Sequence, residues 1–252
     1  MQAIGNRMAR LCRALFLAAA VLTGTTALAQ VPGSKLKDGT VVPDISGIWE
    51  RIEGIRFAPP GQLPPYNPEY RRRYDLAVEA RNRGERVADP TAGCLPQGMP
   101  RFMVASYPLE VLQTKGQVTI IAEWSSQVRR IFTDGRGHPP ADEVEITFNG
   151  DSIGHWEGQV LVVDTIGIRG DTSFDASPLT HSDQLTVKER IYLKDPKTLV
   201  AELTITDPGA FTAPWKVVRT YRRGGPDARI MEYVCEENNR DIILPGQNQP
   251  KP

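Results

Sequence analysis

From residue 109 onward the chain is a succession of short β-rich runs, and the turns between most of them are too short to hold a crossover. The runs lie at 109–112, 118–124, 128–133, 151–157, 160–163, 185–193, 199–206, 215–221 and 230–236. Lys115-Gly116-Gln117, Gly158-Gln159, Asp195-Pro196 and Asp207-Pro208-Gly209 supply turn chemistry between them. Alternation is clearest at 185–193. Leu185, Val187, Glu189 and Ile191 share one face, and Thr186, Lys188, Arg190 and Tyr192 the other. Short connections imply antiparallel pairing, and a long antiparallel sheet removes its exposed edges by closing. With a first strand at 48–52, the expectation is a mainly β chain forming an antiparallel barrel of about eight to ten strands, with a two-sheet sandwich as the alternative. There is no internal repeat, phosphate-binding glycine loop or βαβ alternation.

One helix precedes the continuous run of strands. Asn67-Pro68-Glu69 combines an N-cap, a first-turn proline and a first-turn acid. Tyr70, Tyr74, Ala77 and Val78 then share a face, and Gly84 is placed to end the helix. The spacing predicts a helix over 68–83, docked on the barrel. Arg71, Arg72 and Arg73 are interleaved with Glu69, Asp75, Glu79 and Glu85, which makes a solvated face rather than a basic patch.

Residues 1–29 read as an export signal. Arg7, Arg10 and Arg13 precede an apolar run at 14–21, and Ala27 and Ala29 fit the small-residue cleavage rule. The run is too short to span a bilayer comfortably. The mature chain is expected to begin at Gln30 and to be periplasmic or secreted, without a transmembrane segment. An extended arm at 30–43, a single barrel domain at 44–237 and a tail at 238–252 complete the organisation. Lys+Arg and Asp+Glu are both 30, so no nucleic-acid partner is implied. Cys94 and Cys235 survive cleavage. In an oxidising compartment they read first as a disulfide, and otherwise as two thiols or a metal pair, although no CxxC is present.

Asn149-Gly150-Asp151 opens a hairpin that concentrates titratable groups. His155 and Glu157 share a face, with Trp156 opposite. We expect His155 and Glu157 to point into the barrel, because they can satisfy each other there and Gly154 and Gly158 leave space beside them. The reverse orientation would put Trp156 inside as a ligand contact. The acid–base candidates are His155, Glu157, His181, Asp164 and Glu189. Asp164 ends an apolar strand at a barrel rim. Glu189, if inward, needs a partner such as Arg130 or Arg219, and such a pair equally reads as a brace in the wall. Trp156, Arg130, Arg190 and Tyr192 are the candidate ligand contacts. His138, His155 and His181 with a carboxylate have the donor types of a metal site, but their spacing matches no ligand motif, so no cofactor is expected and His138 reads as a turn cap. Ser152 and Ser182 lie near histidines without a nucleophile elbow.

Three motifs carry a resemblance: Ser152-Ile-Gly-His-Trp-Glu-Gly158 with Leu161-Val-Val-Asp-Thr165, Phe132-Thr-Asp-Gly-Arg-Gly-His-Pro139, and Glu232-Tyr-Val-Cys-Glu236. They are similar to those of a family of exported bacterial proteins, across most of 44–237. Gly47 and Trp49 also resemble the opening of lipocalin-like (calycin) barrels, where the tryptophan plugs one end. These likenesses imply a lipocalin-like fold and no particular activity.

Three functions fit this reading. The first is an exported barrel that binds a small, largely apolar or aromatic molecule. The second is a cofactor-independent lyase, isomerase or hydratase using a histidine and a carboxylate. The third is an envelope protein whose barrel is filled by its own side chains. The orientation of His155 and Glu157 separates the first two, and the packing of the interior tests the third.

Overall fold

A computed structural model describes residues 33–237, apart from 37, 38, 55, 59, 60, 88, 105 and 236. The export signal at 1–29 and the tail at 238–252 lie outside the described residues. The arm forms a small antiparallel hairpin of β1 (Gly33–Lys35) and β2 (Val41–Pro43). The elements that follow are β3 (Gly47–Arg51), α1 (Pro68–Asn82), β4 (Leu109–Thr114), β5 (Gln117–Ala122), β6 (Gln127–Phe132), β7 (Asp151–Glu157), β8 (Val160–Ile166), β9 (Thr186–Asp195), β10 (Thr198–Thr206) and β11 (Trp215–Arg223). Strands β3 to β11 pair in chain order, and β11 returns to β3 to close a nine-stranded barrel. The closed barrel is consistent with the lipocalin-like resemblance.

The barrel is mixed rather than antiparallel throughout. A closed ring with an odd number of strands cannot alternate direction all the way round, so at least one neighbouring pair must be parallel. Here that pair is β6 and β7, matched only at Ile131↔Ser152 and Phe132↔Ile153. The connection over 133–150 causes it. Instead of a tight turn after 134–140, the chain returns to the end where β6 began. Hydrogen bonds from Met99 N to Phe148 O (2.8 Å) and from Thr147 N to Gly167 O (2.9 Å) hold this return segment.

The strand expected at 230–236 is also absent, since 230–235 form no strand. The free edge of β11 is already taken by β3, through Tyr221↔Arg51 and Arg223↔Trp49. The segment instead packs Tyr233 against Trp124 (4.9 Å) and Tyr107 (5.5 Å). Cys235 is disulfide-bonded to Cys94, with a Cα–Cα distance of 5.6 Å that suits the bond.

The helix follows its sequence signals. Asn67 Oδ1 accepts from Tyr70 N (3.0 Å), Pro68 is the first helical residue, and Gly84 takes φ +81° beyond the end. Asn67 anchors α1 to the β10–β11 connection through Gly209 O (2.9 Å) and Ala210 O (2.8 Å). Tyr70 is buried and Leu76 is exposed, so the helix docks by one edge. No helix among the described residues is long and apolar enough to cross a membrane.

The interior is filled by side chains. Trp49, Phe102, Met103, Ile131 and Tyr221 are all at most 2% exposed. Trp49 donates its Nε1–H to Ile45 O (2.9 Å) and lies under the Arg223 guanidinium, 4.2 Å from its ring centre. Phe57, Phe174, Phe211 and Trp215 form an aromatic cap near α1, with ring centres 5.1–6.2 Å apart.

Candidate functional site

Strand β7 faces the opposite way from the expectation. Ser152 is buried inside and Trp156 packs against the core, whereas the His155 and Glu157 side chains are 67% and 50% exposed. A strand has a side-chain period of two, so the buried Ser152 sends 155 and 157 to solvent. Gly154 does not leave space for them. A Cβ there would lie 3.0 Å from Ile131 Cγ2 and 3.2 Å from Val162 O, so this glycine permits close packing of the wall.

Other candidates share that outer surface. Glu157 is bonded to Arg190 (2.9 Å) and His155 (3.3 Å), and these contacts, Arg190 first, hold its carboxyl below the usual range. Tyr192 donates to Glu202 (2.9 Å). Asp164 points outward 3.9 Å from Lys188 rather than sitting at an interior rim. Arg190 and Tyr192 therefore face away from the barrel interior, where the ligand was expected.

His181 is buried and satisfied. Its Nδ1 donates to Ser182 O (2.9 Å), its Nε2 lies 2.8 Å from Thr172 Oγ1, and its ring meets Phe174 edge-on. Burial pushes its imidazole below the ordinary value and keeps it neutral. The Ser182 hydroxyl donates to Asp207, which also accepts the backbone N–H groups of Ser182, Gly209 and Ala210. That cluster fastens the β10–β11 connection. It frames a surface cleft of about 540 Å³ between α1 and 170–183, but its histidine has no free nitrogen.

Glu189 does face inward, as the alternation on β9 required. Its partner is neither Arg130 nor Arg219 but Arg129, with both side chains at most 1% exposed. The Arg129 guanidinium also contacts Ser152 and Thr165. One side chain thus ties β6 to β7, β8 and β9 across the weakly paired parallel seam.

Outside this brace the seam opens into a cleft of about 480 Å³. Gln127, Arg130, Phe132, Phe148, Asn149 and Asp151 line it. Of the candidate ligand contacts, Arg130 alone is here. Gln127 is 8% exposed, and neither its amide oxygen nor its nitrogen has a hydrogen-bond partner. Asn149 donates to Val128 O (3.1 Å) but its Oδ1 is buried without a partner. Asp151 Oδ1 lies 2.5 Å from His138 Nδ1, and His138 Nε2 is buried and unpartnered. His138 is therefore held by a carboxylate rather than simply capping a turn. Gly150 makes the corner possible. Its φ is +67°, and a Cβ would fall 2.4 Å from Ile166 O.

The three histidines are distributed over the seam, the outer wall and the cap, and the described residues hold no group of three or more His, Cys, Asp or Glu suited to a metal ion. Sequence reasoning misses Gln127 and takes Asn149 and Asp151 only as parts of a turn. The available signal was the gap between the runs at 128–133 and 151–157, which exceeds ordinary hairpin loops and marks a long, functional type of connection. Comparison with protein-family models and with curated proteins finds no match, so the family likeness rests on the three motifs alone.

Proposed function

We propose that the protein is an exported binding protein for a small polar molecule, held in the cleft between β6 and β7. The observation that carries this reading is the set of buried, unpartnered hydrogen-bonding atoms on Gln127 and Asn149. Leaving a buried polar group unpaired costs about 1–3 kcal/mol. A ligand that accepts from the Gln127 amide nitrogen and donates to the amide oxygens of Gln127 and Asn149 would offset that cost. Phe132 and Phe148 supply apolar walls, Arg130 a positive edge and Asp151 a negative one. A few convergent polar groups within partly apolar walls are the usual composition of a small-molecule site.

The filled interior argues against the largely apolar ligand first expected within the barrel, because such a ligand would have to displace Trp49, Phe102 or Tyr221. Export is supported by the features of residues 1–29 and by the Cys94–Cys235 disulfide. A second reading has one observation in its favour. Asp151, positioned by His138, can take or give a proton at the cleft, which suits a cofactor-independent lyase, isomerase or hydratase.

The test is native mass spectrometry of the exported protein, followed by a thermal-shift screen of small amides, hydroxy acids and sugars. A bound species or stabilising compound that is lost on Gln127→Leu supports the reading. A parent protein that carries nothing and responds to none of these compounds overturns it.

A further inference from the structure

Where β3 meets β11, on another part of the wall from the seam, two more arginines face the interior. Arg51 lies opposite Tyr221 in the ladder. Arg219 sits two residues before Tyr221 on the same face of β11, which makes it the diagonal neighbour of Arg51, with Cα atoms about 7 Å apart in an ordinary sheet. Arg219 is 3% exposed. Its Nη1 donates to Val218 O (2.7 Å), while Nε and Nη2 are buried without a partner. Its guanidinium lies 5.1 Å from the centre of the Phe57 ring. Arg51 donates through Nη1 to Val104 O, and its Nε is likewise buried and unpartnered.

Neither arginine takes part in an ion pair among the described residues. Glu53 and Asp175 lie near enough to attract them but make no ion-pair contact with either guanidinium, and bond backbone N–H groups instead. Glu53 accepts from Thr220 N (3.1 Å), and Asp175 accepts from Phe57 N (2.7 Å) and Ser177 N (2.6 Å). Burial lowers both guanidinium pKa values from the ordinary range, against the pull of Tyr221 and Glu53. An arginine nevertheless stays charged in proteins. The contrast with Arg129 is direct. That inward arginine has Glu189, Ser152 and Thr165 around it, whereas Arg51 and Arg219 place two like charges together without a counter-charge in contact.

We infer that Arg51 and Arg219 form a binding site for a small oxyanion, a phosphate or carboxylate group, inside the barrel wall. Guanidinium N–H groups match the oxygens of such anions in geometry and charge. A buried charge is tolerated when it is paired, and an oxyanion between the two forks supplies the missing pair. Arg51 is partly exposed, so its side of the site gives access from solvent. This inference does not depend on a ligand in the seam.

The experiment uses the mature protein in a phosphate-free buffer, with thermal shift and calorimetry against inorganic phosphate, acetate and glycerol phosphate. Sodium chloride at matched ionic strength is the control. The expected result is a saturable rise in melting temperature with at least one oxyanion and none with chloride. Arg219→Met and Arg51→Gln should each weaken the response at least tenfold. Tighter binding of glycerol phosphate than of phosphate would identify the anion as part of a larger molecule, and the reverse order a free ion. Arg219→Met should melt no lower than the parent without oxyanion and below it at saturation, an inversion that a purely structural arginine would not give. If Arg219→Met fails to fold, Arg51→Gln decides. A parent without an oxyanion response, or an Arg51→Gln variant with an unchanged one, overturns the inference.

Discussion

Arg129 on β6 and Glu189 on β9 form an ion pair inside the barrel although two strands separate them in the wall. The pair lies behind the seam where β6 and β7 share only two matched positions. Its guanidinium substitutes side-chain bonds for the ladder bonds that this parallel junction lacks. Removing either partner leaves the other charge buried alone, at a cost of about 3–5 kcal/mol. Glu189→Gln and Arg129→Met should each show that loss in urea unfolding. The double variant Arg129→Met/Glu189→Leu should lose less than the sum. Single losses below about 1 kcal/mol would rule out a bracing role.

The sequence made the fold class legible because burial writes itself into period-two alternation. Leu185, Val187, Glu189 and Ile191 alternate onto one face, and all four are buried. The helix was legible through its local chemistry, the Asn67 cap and Gly84. The face of β7 was not. His155 and Glu157 offered a persuasive pair, but the strand's orientation is fixed by Ser152, whose partner Arg129 is 23 residues away. The parallel seam was hidden for a similar reason. Direction around a ring depends on the parity of the whole strand count, and the β-rich pattern at 230–236 adds one strand too many. The seam's polar groups were missed because an unpartnered Gln127 looks, in sequence, like any other glutamine.

His181 should contribute a pH dependence of known sign. Its folded pKa lies below the ordinary value of 6.5 because burial disfavours the charged ring. The unfolded chain therefore binds the proton more readily, and stability rises with pH across the interval between the two values. Its contribution is complete above about pH 6.5 and is lost as pH falls toward the depressed folded value. Melting temperatures from pH 7.5 to 5 should fall for the parent and fall less steeply for His181→Gln. Equal slopes would assign the acid sensitivity to other groups.

The disulfide closes a loop with a sequence separation of 141. It fastens a segment that the barrel does not hold by strand pairing. Cys94→Ala and Cys235→Ala should each cost about 2–5 kcal/mol, and the double variant no more than either single one. Denaturation with and without reductant is the check. Because the 230–235 segment packs Tyr233 against Trp124, tryptophan fluorescence should change on reduction before the barrel melts. A barrel that loses no stability on reduction would show that the segment only decorates it.

Replacement of Gln127 should separate binding from folding. The side chain is buried at the seam with both ends of its amide unpartnered, so it contributes desolvation cost without a compensating hydrogen bond. Gln127→Leu keeps nearly the same shape and removes that cost. Its melting temperature should therefore equal or exceed that of the ligand-free parent, by an amount equivalent to about 1–3 kcal/mol at most. Any compound found to bind the parent should bind Gln127→Leu at least tenfold more weakly, since both amide contacts are gone. His155→Ala, on the exposed outer wall, should change neither quantity. A Gln127→Leu protein that unfolds more easily than the ligand-free parent would mean that the amide is satisfied in solution, and the cleft would lose the feature that singles it out.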